Sequence, residues 1–425
     1  MKKHIVCFAI TLLMALNTYA QQFDLSAELR PRFENKNGYG TLLNTDEKGS
    51  NFVSQRTRLN FGFINEKMRL KVVFQNIRVW GDVGTLSSDD NATALHEAWA
   101  EALLSDKISL KLGRQEIVYD DHRIFGNVDW TQQARSHDAL LFKYVPNANN
   151  KIDVGFALNS DSQSGIDNLY SNAAGYKAFQ YIWYHGDFNK FGLSFLALNT
   201  GIEYLKNVGL PNEKQTMDYM QTFGPRLTYA SGRFSANAAT YFQTGKSLGT
   251  VVNASYFTGN LGYDLNDNFY VGLGVEYLSG KDMDDSSSGV KSFAPLFGTN
   301  HGFNGWMDYF YVGNHANNVG LTDVYTTIGY KKNKFSAKII PHFFSAAGNV
   351  INGAEKMDNN LGTEIDSTIG YELAKDIAIN AGYSKMFATN TMEVLKSGDK
   401  NEKNSWVWLM LTFKPKLFSH TVNQL

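Results

Sequence analysis

The sequence has almost no cysteine. Cys7 is the only one in 425 residues, and it lies in a segment that reads as a leader. Lys2 and Lys3 precede an apolar run from Ile5 to Leu16, and Thr18-Tyr19-Ala20 places small residues where a signal peptidase reads. This pattern predicts a signal peptide over 1–20, cleavage before Gln21, and a single domain over 21–425. A mature chain without Cys excludes disulfides, thiol nucleophiles and Cys-ligated metals together. Nothing after Leu16 approaches the roughly 20 apolar residues of a membrane helix, and mean hydropathy is −0.31. Charge of one sign is lacking too. Without Lys2 and Lys3 the 40 basic residues fall to 38 against 41 acidic ones, a balance that points away from nucleic acid. Proline is scarce at 7 residues.

Glycine and aromatic residues are plentiful instead, with 37 Gly, 29 Phe and 22 Tyr. Aromatic side chains suit pleated, half-buried surfaces, and the apolar pattern has period two. In 24–34, Leu25, Ala27, Leu29, Pro31 and Phe33 share one face, while Asp24, Ser26, Glu28, Arg30, Arg32 and Glu34 share the other. Thr57, Leu59, Phe61 and Phe63 likewise oppose Ser54, Arg56, Arg58 and Asn60. The rhythm recurs to Val407-Leu409-Leu411-Phe413, and no helical period fits these stretches.

Loop lengths choose between a soluble β-protein and a membrane barrel. Tight polar turns fall at 65–67, 105–107, 147–151, 187–190, 231–232, 266–267, 332–334 and 374–376. Longer polar stretches alternate with them at 36–51, 80–93, 117–134, 160–175, 200–215, 244–250, 280–319, 347–357 and 388–403. Short periplasmic turns and long outer loops are the asymmetry of outer-membrane barrels. The expected fold is therefore all-β: a transmembrane, antiparallel up-and-down barrel of about 18 strands. It would lie in the outer membrane of a Gram-negative bacterium, in contact with lipid and lipopolysaccharide and placed there by barrel-assembly machinery. Four strands, near 95, 179, 193 and 255, have no clear apolar face.

If the apolar face meets lipid, the polar face lines the lumen. Early strands then place Arg30, Arg32, Arg56, Arg58, Arg69, Lys71, Lys111 and Lys143 inside, with Asp24, Glu28 and Glu34. Later strands add Arg226 and Lys338 against Asp153, Glu276, Asp323, Glu364 and Asp366. One wall is positive, the other mildly negative. Two consecutive Arg-x-Arg pairs repel unless acids or a passing anion intervene. A barrel of this size is too wide for wall side chains alone to fill. The favoured function is a passive channel for acidic saccharides or other small anions through an Arg-lined lumen. The alternative is a non-transport barrel, sealed by its loops, acting as a surface-binding or structural protein. The stretches around Tyr119 to Arg123 and Phe293 to Phe310 fold inward or cap the outside.

An enzyme is not expected. Thr299 to Gly305 is similar to the His-x-Ser-Asn-Gly run of outer-membrane phospholipases, but Phe303 stands in the serine position. The histidines lack metal-ligand spacing, and Asp282, Asp284 and Asp285 lack the oxygen pattern of a dedicated Ca²⁺ site. No cofactor, metal or nucleic acid is expected.

Four stretches carry a family likeness: Leu29-Arg30-Pro31-Arg32-Phe33-Glu34; Ser54 to Leu59; Leu112 to Glu116 with Asp129-Trp130 and Arg135 to Asp138; and Pro295 to His301 with Gly305 to Phe310. In this order they resemble the alginate-export porins of the outer membrane. The resemblance implies a monomeric barrel of eighteen strands with an electropositive pore for a polyuronate. It carries over Arg30, Arg32, Arg56, Arg58, Arg114 and Arg135 as pore arginines, with Asp138 as counter-charge. Arg114 has the wrong parity for the lumen unless a bulge intervenes. The later acids make this lumen less uniformly positive than the resemblance implies, and the chain runs past Phe418 to Leu425.

Overall fold

The computed structural model describes residues 20–423, apart from 90–91, 167, 171–174 and 311–317. Residues 1–19 of the expected signal peptide lie outside the described residues. The first strands are β1 (Ala20–Asn37), β2 (Ser50–Ile64), β3 (Met68–Val79), β4 (Thr93–Leu103), β5 (Ile108–Gln115) and β6 (His137–Asn147). Next come β7 (Asn150–Leu158), β8 (Ala178–Phe188), β9 (Phe191–Lys206), β10 (Lys214–Ser231), β11 (Phe234–Ser247) and β12 (Thr250–Asp264). The last are β13 (Phe269–Leu278), β14 (Leu321–Lys332), β15 (Phe335–Ser345), β16 (Asn360–Ala374), β17 (Ile377–Ala388) and β18. β18 runs as two segments, Ser405–Phe413 and Lys416–Asn423, and both pair with β1. The break falls at Pro415, which has no N–H to give the ladder, although its carbonyl accepts from Ala27 N at 3.1 Å. Every strand pairs antiparallel with its sequence neighbours, and β1 also pairs with β18, so the described residues close an eighteen-strand barrel.

The sorting of side chains is inside-out for a soluble protein. On β2, Arg56 and Arg58 are buried, whereas Leu59 is 42% exposed; on β3, Gln75 is buried beside a Phe74 that is 46% exposed. Charge goes in and hydrocarbon goes out, as a bilayer requires. Rings gather near the short turns. Phe23 packs on Phe61 and Phe418, Phe191 on Tyr229, and Phe269 on Tyr330, forming an aromatic girdle at that rim.

The short turns close by side-chain chemistry visible in the sequence. Asn65 Oδ1 accepts from the backbone N–H of Lys67 (2.9 Å) and Met68 (2.8 Å), and Asn266 Oδ1 does the same for Asn268 and Phe269. Two expected long loops are mostly strand. β9 and β10 extend into the expected loop at 200–215 and leave only 207–213 between them, and β11 and β12 meet in a two-residue turn, Leu248-Gly249, with both φ positive (50° and 84°). Above the bilayer both strand faces are wet, so polar residues there do not mark a loop.

The sidedness can be checked on intact cells. Trypsin should nick at the exposed Lys48 in the β1–β2 loop and spare Lys334 in the β14–β15 turn. Cleavage at Lys334 with Lys48 intact would invert the assignment.

Candidate functional site

β1 and β2 present their polar faces to the lumen in a register that places Arg30 opposite Arg56 and Glu28 opposite Arg58. Like charges face each other, so the cluster needs acids. Glu28 Oε1 accepts from Arg56 Nε (2.8 Å) and Nη2 (2.6 Å), and Lys414 Nζ lies 3.3 Å from its other oxygen. Arg32 Nε donates to Glu34 at 2.9 Å, and Glu34 also accepts from Trp406 Nε1 at 3.2 Å.

The wall's remaining partners come from the loop between β5 and β6, which enters the barrel. Its Asp129 carboxylate accepts from Arg56 Nη2 at 2.8 Å and Arg30 Nη1 at 3.4 Å, and Arg58 Nη1 lies 3.8 Å away. The carbonyls of Asp129 and Thr131 accept from Arg30, and that of Trp130 from Arg32 at 2.6 Å. The Trp130 ring lies 4.1 Å from the Arg32 guanidinium carbon and stacks on His301. Burial pushes the Asp129 carboxyl up, but Arg56 and Arg30 outweigh it and hold it below its ordinary value. Arg58 donates through Nε to Gln75 at 2.6 Å, while its buried Nη2 has no hydrogen-bond partner among the described residues.

Farther round the ring, β13, β14 and β16 carry Glu276, Asp323, Glu364 and Asp366, all buried. Two inward loops cover them. Arg123, from the β5–β6 loop, meets Glu276 at 3.1 Å and Asn304 at 2.8 Å. The loop between β13 and β14 offers backbone N–H groups: Trp306 to Asp366 (3.0 Å) and Met307 to Glu364 (2.8 Å). Gly305 makes that approach possible. Its φ is +82°, and a Cβ there would sit 2.8 Å from the Glu364 carboxyl group. The two loops also join each other, through Phe297 N to Ile124 O (3.1 Å) and Gly126 N to Phe297 O (2.8 Å). Phe125, Phe297, Phe179, Tyr181 and His137 form an aromatic core between loops and wall. Toward the short turns the lumen keeps a cavity of about 310 Å³, lined in part by Asp24, Ser26, Asn60, Arg69, Lys71 and Trp99.

This geometry sits inside a barrel type seen before. A BenF-like porin from Pseudomonas fluorescens is similar, with a TM-score of 0.60, 14% identity, and coverage of 93% of this chain and 99% of that one. This is an outer-membrane porin fold. OccK11 (OpdR) of Pseudomonas aeruginosa matches with a TM-score of 0.59 at 13% identity, over 93% of this chain and 96% of that one. The outer membrane protein opdK of the same organism matches with 0.59 at 10%, over 94% and 99%. Such identities carry the fold alone. Residues 19–157 match the alginate-export family model, so the resemblance read from the motifs holds for the stretch that includes the arginine wall. No protein of curated function matches the sequence.

Within the porin barrel, Glu28, Glu34, Arg30, Arg32, Arg56 and Arg58 come together on one wall. Arg69 lines the lower cavity and pairs with Glu101 at 3.3 Å. Arg135 reaches Gly298 O at 3.0 Å, holding loop to loop, and Arg226 pairs with Asp121. Arg114 and Asp138 do not join them. They pair with each other at 2.9 Å on the outward face, in direct register, with Leu112 (59% exposed) on the same side and Gln115 buried on the other. No bulge reverses β5, so parity excludes both from the lumen. His301 bonds Asp308 at 2.8 Å and stacks on Trp130, with no serine among its described partners. Asp129 and Trp130 stand in the sequence only as part of a motif, and their contacts with the arginine wall appear in the structure alone. The available signal was one acid in a loop beside arginines that had too few acids of their own.

Proposed function

We propose that the mature chain, residues 21–425, is a passive outer-membrane channel for acidic saccharides of the polyuronate type or other small anions. The observation that supports it best is the convergence of Arg30, Arg56 and Arg58 on a single carboxylate whose side chain is 45% exposed, while theirs are 5%, 0% and 9% exposed. A wall that holds one carboxylate with guanidinium donors offers the same chemistry to a solute carboxylate. Arg32 extends the donor row beside it. The barrel acts as a monomer, with the route running past the wall into the lower cavity.

The second reading is a loop-sealed barrel without transport, favoured by the aromatic core around Phe125. Conductance in a planar bilayer separates the two. The channel reading expects steady ohmic steps with anion preference in a salt gradient. Silence from a folded, heat-modifiable preparation would leave the sealed barrel standing.

A further inference from the structure

Asp129 is an odd member of its cluster. The guanidiniums around it are nearly inaccessible, yet its own side chain is almost half open. Its bonds are uneven: 2.8 Å to Arg56, 3.4 Å to Arg30 and 3.8 Å to Arg58, short of a paired fork with any of them. Among the described residues Arg58 Nη2 has no hydrogen-bond partner. The cluster therefore holds donor capacity that Asp129 does not use.

The backbone behind Asp129 is fixed independently of that carboxylate. The short strap 128–134 is clipped at its neck by Arg135 N to Asn127 O (2.6 Å). Val128 N donates to Thr299 Oγ1 at 3.0 Å, and Trp130 is wedged against His301, Trp406 and Trp408. Gln132 Nε2 donates to Ser54 Oγ at 3.0 Å. Val128 and Ala134 hold φ of +51° and +56°, a conformation most costly for the β-branched Val128, and the strap bends there so that Asp129 points at the arginines. With the strap held by these contacts, and by its carbonyls on Arg30 and Arg32, the Asp129 side chain can rotate into the open lumen while its backbone stays.

We propose that Asp129 is an internal stand-in for a solute carboxylate: it occupies a carboxylate site made by Arg30, Arg56 and Arg58 and is displaced by the carboxylate of an entering sugar acid. This rests on the reading of the wall as the anion path. Displacement exchanges one carboxylate for another, so the buried guanidiniums are never left without a counter-charge, which would be costly. A solute free of the strap can present both oxygens as a fork and reach Arg58 Nη2. The internal carboxylate keeps occupancy weak, so a solute binds and leaves rather than blocking the route.

The test uses the full-length barrel in planar bilayers, with D-glucuronate as probe and D-glucose as the uncharged control. In Asp129→Asn the half-blocking concentration of glucuronate should fall by about tenfold or more, as a charged competitor is removed, with glucose unchanged. Asp129→Ser should act alike, which keeps the test valid if one variant fails to assemble. Asp121→Asn removes the same charge from the lumen but leaves the trio intact, and should not reproduce the gain. Equal gains in the Asp121 and Asp129 variants, no gain, or weaker block in the Asp129 variants would each overturn the proposal. The wall is judged separately by the ion preference of Arg56→Gln/Arg58→Gln. If that preference moves and the Asp129 variants show no gain, the stand-in fails and the anion path survives.

Discussion

Replacing Arg56 and Arg58 together with Gln is expected to shift the zero-current potential in a salt gradient toward cations. The anion-to-cation permeability ratio should fall by about tenfold at low salt, the scale on which a charged low-dielectric cleft concentrates counter-ions. The shift should shrink at high salt, since the Debye length drops from about 10 Å at 0.1 M to about 3 Å at 1 M. Stability should change too. Arg56 is fully buried and makes two bonds to Glu28, so its loss leaves that carboxylate with Lys414 and Arg30 alone. Breaking a buried pair costs about 3–5 kcal/mol, so the unfolding temperature should fall, and adding Glu28→Gln should restore part of it. The ion preference and the stability thus separate in the triple variant. An assembled double variant with unchanged reversal potential would end the reading of this wall as the anion path.

A second large effect is expected in the outer cap. The α-helix Asn390–Lys396, between β17 and β18, ends on a lysine that is buried, has no hydrogen-bond partner at Nζ among the described residues, and lies 5.5 Å from the Phe310 ring. Burial pushes the Lys396 amine down to about 7 from an ordinary 10.5. The opened cap binds the proton more readily than the closed one, so closure gains stability as pH rises from about 7 to about 10.5. Below that window the full burden applies, on the order of several kcal/mol. Lys396→Met keeps the packing and removes the charge. Hydrogen exchange of amides 390–396 should slow by about a hundredfold or more at pH 6 relative to wild type, with the gap closing toward pH 10. A protection ratio that does not change with pH would refute this account.

Much of the barrel was legible because its rules are local. Each strand's parity follows from a period of two, and Asn65 or Asn266 announces its turn by bonding its own backbone. The four strands with no clear face have a physical reason in the structure. In β4, His96 and Glu97 are both buried, because the register shifts against β3 between Val73 and Phe74. β8, β9 and β12 turn Phe179, Tyr181, Leu198 and Tyr256 inward, where the loops pack on them. Apolar residues on both faces of a porin strand were thus a mark of the filled lumen. What could not be read was the docking itself. The partners of Asp129 and Arg123 lie on strands distant in sequence, and loop residues carry no period to reveal which way they point.

The closing ladder is expected to be the last and slowest part of the barrel to form. Ala20 pairs with Asn423, the first and last described residues, and Glu34 with Trp408. These are the longest-range contacts the described chain can make, and they cannot form until nearly all of it is present. Each intermediate with fewer staves carries two bare edges, which a bilayer does not tolerate. Contacts of such separation are the slowest to form. The ring is complete or it is unprotected: β1 and β18 shield each other's edges only once they meet.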